Sequence, residues 1–279
     1  MRRFGFTLAE ILITLGIIGV VAALTIPGLI QMYRRHEVEA KVQQNYSKIA
    51  QVMKSVINDY DVEDFTGIDG LFVDYWGRHW INSGLLIKAM YNHIKIAQYY
   101  DNSDIGKSKP IKMCLGEKEP PRKYKDDAVY VDLKGRAVTT HFNPIGNNGD
   151  LNYKYDAIEL LDGTCWQINP NGYDGSDNIN WNDARDGFEV AVDINGTSKG
   201  PNVMGIDLFY YNVTKEGNVH FYGYQYENGS GSGQIDGYYT SGVCSTKCGQ
   251  SRCGQLCGEK IRRNGWRTWT GYPWNPKFE

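Results

Sequence analysis

The chain has 279 residues, with 30 Lys+Arg against 32 Asp+Glu and a formal net charge of −2. Nothing in that near-balance suggests a basic surface for nucleic acid, and no nucleic-acid partner is expected, while a hydrophobic share of 41% suffices for a core. A mean hydropathy of −0.48 behind so apolar a front requires a polar, soluble remainder, and its Tyr, Gly and Trp content is that of turns and aromatic strands.

Residues 1–5 form a short leader carrying Arg2 and Arg3, and residues 6–30 follow as FTLAEILITLGIIGVVAALTIPGLI. About 25 apolar residues are long enough to cross a hydrocarbon layer of about 30 Å as a helix. The basic leader orients the body outward. A removable secretory signal has a shorter apolar stretch ending at a small-residue site, but here the run continues past Ala22 and Ala23 to Ile30. Glu10 is the anomaly. An acid inside a membrane segment needs a partner, and no Lys, Arg or His lies between Phe6 and Gln31. Cleavage between Gly5 and Phe6 would create a cationic amine at the apolar end of the helix, which could pair with Glu10 of a neighbouring copy.

The leader, Gly5-Phe6-Thr7-Leu8-Ala9-Glu10 and the apolar helix behind them closely resemble the type IV prepilins and the pseudopilins of type II secretion. The resemblance covers residues 1–27. It implies that a prepilin peptidase cuts after Gly5 and methylates Phe6, and that Glu10 is the assembly residue. Pro27 matches a helix-breaking proline of many members and is expected to kink or open the helix; with Gly16, Gly19 and Gly28 it would let a bundle bend and pack closely. The implied partners are other pilins or pseudopilins, in homo- or hetero-polymers, and an inner-membrane assembly platform. The implied location is the inner membrane, crossed once with the N-terminus cytoplasmic, and then a filament.

Beyond Ile30 the pattern becomes amphipathic. Val38, Val42, Ile49, Val52, Met53, Val56, Ile57 and Tyr60 recur at helical spacing, with Arg34, Arg35, Glu37, Glu39, Lys41, Lys48 and Lys54 on other faces. The spacing predicts one helix from about Phe6 to Asp59. Residues 6–30 are its membrane or filament-core half, and residues 31–60 carry it into an extracytoplasmic body, residues 61–279. A short helix is expected over Leu85–Ala97. Strands are expected at Ala128–Leu133 and Ala137–Phe142 around Lys134-Gly135, and at Ala157–Leu161 and Thr164–Ile168 around Asp162-Gly163, a favoured hairpin turn. Phe188–Asp193, Asp207–Val213 and Asn218–Tyr222 complete the set. The expected fold is α+β, a long N-terminal helix packed on an antiparallel sheet, with a disulfide-stapled C-terminal loop. This layout is similar to the pilin headpiece.

Asp193, Asn195 and Asp207 lie in an oxygen-rich, tightly turned segment. Calcium takes six to eight oxygens from such loops, but the spacing lacks an EF-hand's terminal glutamate. The alternative is a loop whose carboxylates cap backbone amides. Resemblance to a Pro-Asn-x-x-Gly-x-Asp segment of related pilin-like proteins favours that structural loop. No cofactor is required.

Six cysteines, Cys114, Cys165, Cys244, Cys248, Cys253 and Cys257, follow an export-like segment, which favours disulfides over zinc. Six allow 15 pairings; the expectation is Cys114 with Cys165 and the last four among themselves. The aromatic tail, residues 265–274, either covers the sheet's edge or offers stacking surface. No nucleophile motif, zinc motif or phosphate loop is present, so no enzyme is expected. The sequence reads as a filament subunit, with a pilus-tip adhesin or glycan-binding protein, or a membrane-anchored enzyme, as rivals.

Overall fold

A computed structural model describes residues 7–75, 78–100, 111–113, 116–118, 130–136, 156–169, 188–196, 199–222, 243–248 and 253–274. Helix α1 spans Leu8–Asp59, 52 residues, about 78 Å at 1.5 Å per residue. It begins after the expected Phe6 because Thr7, in extended conformation, caps it. It runs unbroken through Pro27, so the expected local opening is not seen; the proline ring deprives the helix of one N–H.

The second half of α1 buries the predicted stripe of Val42, Ile49, Val52, Met53, Val56 and Ile57. Two expectations fail at its ends. Tyr60 stays 44% exposed as the C-cap residue. Glu39, predicted on a solvent face, is buried.

After α1 come β1 (Phe72–Tyr75) and β2 (Arg78–Ile81), paired antiparallel, then helix α2 (Ser83–Met90). The predicted helix over Leu85–Ala97 is therefore shorter and starts earlier. Asn82 caps its front through the Leu85 amide, and the chain leaves helical geometry to form β3 (Ile96–Tyr100), an edge strand. β4 (Ile111–Met113) and β5 (Gly116–Lys118) form a second small antiparallel pair.

The principal sheet adds β6 (Ala157–Leu160), β7 (Cys165–Asn169), β8 (Phe188–Asp193), β9 (Leu208–Val213) and β10 (Val219–Phe221). Its order is β10-β9-β8-β7-β6-β3, and every pairing is antiparallel. The Asp162-Gly163 hairpin forms as predicted: Gly163 has φ 80° and Asp162 Oδ1 accepts from the Thr164 amide. Lys134-Gly135 does turn, with Asp132 Oδ1 accepting from Lys134 and Arg136 amides. Val131 instead bridges in parallel to Val203, while Ala137–Phe142 lies outside the described residues.

Alternation assigns the faces. Ile158, Trp166, Ile168, Val190, Val192, Phe209, Tyr211, Val213 and Phe221 join the core with α1. The opposite face of β8 and β9, Ala191, Leu208 and Tyr210, is covered by Tyr130 and Met204. Three bonds clasp helix to sheet: Trp166 Nε1 donates to Asn45 Oδ1 at 2.9 Å, Tyr46 OH to the Val219 carbonyl at 2.8 Å, and Tyr211 OH to the Val42 carbonyl at 3.2 Å. Gly217, at φ 75°, lies where a Cβ would come within 2.9 Å of Ile57, so the turn before β10 meets the helix too closely for a side chain.

Candidate functional site: an exposed apolar helix and the collar at its end

Among the described residues, residues 8–30 of α1 are exposed almost throughout. Leu8 and Leu24 are each 77% exposed and Tyr33 is 71% exposed. Its apolar window is unburied, and among the described residues it is the one helix long and apolar enough to cross a membrane. A Cβ added at Gly16, Gly19 or Gly28 would meet no atom within 4 Å, so these glycines answer no packing demand inside one copy.

Glu10 sits in the first turn of this helix. Its Oε2 accepts from the Thr7 amide at 2.8 Å and the Thr7 hydroxyl at 2.9 Å, and Thr7 Oγ1 accepts from the Glu10 amide at 3.3 Å. This reciprocal capping box satisfies two helix-start donors. Glu10 thus has a local partner that the sequence reading did not supply, and any pairing across copies competes with Thr7. Gly5 and Phe6 lie outside the described residues.

Where the apolar half ends, the C-terminal tail closes round the helix. Helix α3 (Cys257–Arg263) is followed by Gly265 and Trp266, both at positive φ, which reverse the chain. Trp266 packs edge-on against Tyr46. Glu39 Oε1 accepts from the Thr268 amide at 2.8 Å and its hydroxyl at 2.7 Å, and Glu39 Oε2 accepts from Arg267 Nη1 at 3.2 Å. Burial pushes the Glu39 carboxyl up, but these donors outweigh it and hold the group below its ordinary value. The Tyr272 hydroxyl donates to the Gly205 carbonyl, and Arg35 lies 5.9 Å from the Trp274 ring centre. The tail therefore serves as a collar, its aromatic rings half-buried or buried against the core.

Asp193, Asn195 and Asp207 do come together. Asp193 Oδ1 accepts from the Asn195 amide at 3.1 Å and Oδ2 from the Tyr130 hydroxyl at 2.7 Å. Asp207 accepts from the Asn202 amide at 2.7 Å and the Val203 amide at 2.6 Å. Each of these carboxylate oxygens accepts an N–H or O–H donor, the pattern that the amide-capping alternative expects. Asn195 Oδ1 is buried with no hydrogen-bond partner among the described residues, and no cluster of three His, Cys, Asp or Glu able to hold a metal occurs among them. Burial, then the nearby Asp193 charge, pushes Asp207 up to about 7. Burial likewise raises Asp193.

The last four cysteines pair among themselves, Cys244 with Cys257 and Cys248 with Cys253. Cys165 is disulfide-bonded, and its expected partner Cys114 lies outside the described residues.

Sequence reasoning missed the Glu39 clasp, the Asn45–Trp166 bond and the buried Glu259, which holds Arg262 and Arg263 at 2.7 and 2.8 Å. Only the last left a local trace, an acid three and four residues before two arginines. Comparison with known protein families, curated proteins and solved structures finds no match to this chain.

Proposed function

We propose that this chain is a membrane-inserted subunit of a pilin-like filament, either a type IV pilus or a type II secretion pseudopilus. In this reading prepilin peptidase trims it after Gly5 and methylates Phe6. The assembly platform then extracts it, and it polymerises with like subunits through residues 6–30. The body forms the filament's outer surface and performs no catalysis.

The observation that carries the reading is the division of α1. One half packs a buried stripe on the body of its own chain, while the other is a bare apolar rod with an acid in its first turn. Such a rod requires lipid or neighbouring helices, and the unused glycines suit close helix–helix approach. Released Phe6 amines would draw Glu10 of an adjoining copy away from Thr7. The adhesin reading gains nothing from the tail, whose Trp266, Trp269 and Trp274 pack against the core.

Intact-mass measurement of the chain expressed with prepilin peptidase tests the first step: residues 1–5 should be absent. For assembly, Glu10→Gln removes the charge but retains an oxygen for Thr7, whereas Thr7→Ala removes the capping hydroxyl and leaves the charge. The expected result is that Glu10→Gln reaches the membrane but yields no sheared filaments, while Thr7→Ala assembles. Wild-type filament yield from Glu10→Gln would refute charge pairing.

A further inference from the structure

A cleft of about 430 Å³ opens between the collar and the loop after Cys244, a size typical of small-ligand sites. Gln31 of α1 forms one side, Ser245, Thr246 and Lys247 another, and the tail from Gly271 to Trp274 the third. We infer that this cleft seats the phosphate headgroup of an anionic phospholipid, in the leaflet from which the body emerges. The inference rests on the membrane reading of α1.

Depth is the first argument. Residues 8–30 of α1 span about 34 Å at 1.5 Å per residue, slightly more than a hydrocarbon layer of about 30 Å. Gln31, the first polar residue beyond that run, therefore stands among headgroups, and it is a wall of the cleft. Tyr272 and Trp274, which line it with Gln31, belong to the aromatic class that collects at this depth.

Charge is the second. Lys247 is exposed and is the charged residue lining the cleft; no acidic residue lines it among the described residues. Arg35 adds a second cation beside the Trp274 ring. A phosphodiester presents anionic acceptor oxygens, and the lining residues Lys247, Ser245 and Thr246 offer an ammonium and two hydroxyls as donors. Rigidity is the third. Ser245 Oγ accepts from the Lys247 amide at 3.0 Å, and the Cys244–Cys257 and Cys248–Cys253 disulfides anchor both ends of the short loop, so little ordering is needed on binding.

The test is native mass spectrometry of the full chain in non-ionic detergent, titrated separately with phosphatidylglycerol, phosphatidylcholine and inorganic phosphate. Phosphatidylglycerol should bind in preference to phosphatidylcholine. Lys247→Gln should weaken that binding about fivefold, the worth of one lysine near an anionic surface. Lys95→Gln, an exposed lysine at the β3 edge of the sheet, should leave it unchanged. Equal affinity for the two lipids, or equal loss in both variants, overturns the inference. So does inorganic phosphate binding as tightly as the lipid, since the site would then be one for a free anion. Carbonate extraction of membranes reports separately: a chain that washes off defeats the membrane reading, whereas one that stays and shows no lipid preference defeats the headgroup site alone.

Discussion

Replacing Glu39 with alanine should release the collar while leaving the sheet intact. Glu39 ties residues 267–268 to α1 through two donors of Thr268 and one of Arg267, and Arg267 also meets His36 of α1 at 3.4 Å. Hydrogen bonds to a charged group contribute about 1.5–3 kcal/mol each. The opened collar recovers part of that by hydrating its donors, so a net loss of about 2–3 kcal/mol is expected, a rise of about 30- to 160-fold in local opening. Hydrogen exchange followed by mass spectrometry reads this directly: peptides covering residues 264–274 should exchange that much faster, with β8 and β9 unchanged. Glu39→Gln keeps an oxygen for Thr268 and should fall between wild type and alanine. The sign with pH follows from the depressed carboxyl. Its stabilisation is fully present above the ordinary value of 4.5 and is lost as pH falls through the lowered one, so the collar should loosen only in acid, on the low side of 4.5. Exchange of residues 264–274 within threefold of wild type in the alanine variant would refute the clasp.

Asn45→Leu should destabilise the body, because the buried Trp166 indole N–H loses its acceptor. The cost is about 1–3 kcal/mol, a fall in Tm of about 2–10 °C by scanning calorimetry. Ser47→Ala on the exposed face should change it by less than about 1 °C. Asp207, raised from 3.8 to about 7, stabilises the fold fully below the unfolded value, and that contribution is lost as pH rises through the folded one. Tm should therefore decline from about pH 4 towards pH 8, and Asp207→Asn should flatten the decline; an unchanged slope would show that another group titrates there.

Local pattern was enough to delimit much of this protein. The uniform apolar run, the change to helical spacing after Ile30, and the alternation in Phe188–Asp193 each depend on residues a few positions apart, and the structure keeps their boundaries nearly unchanged. Turns such as Asp162-Gly163 are legible for the same reason, since they depend on which residues tolerate positive φ. Propensity was overridden where packing intervened: Ile96 left the predicted helix because β6 offered it a strand partner. The collar lay wholly beyond such reading. Glu39 and Thr268 are 229 positions apart, and nothing in either neighbourhood marks a glutamate on a charged face as one that will be buried. Which carboxylate finds a distant amide, and which cleft opens between a loop and a tail, follows only once α1 has docked on the sheet. The desolvation of a charge and the donors that compensate it exist only in that packed state.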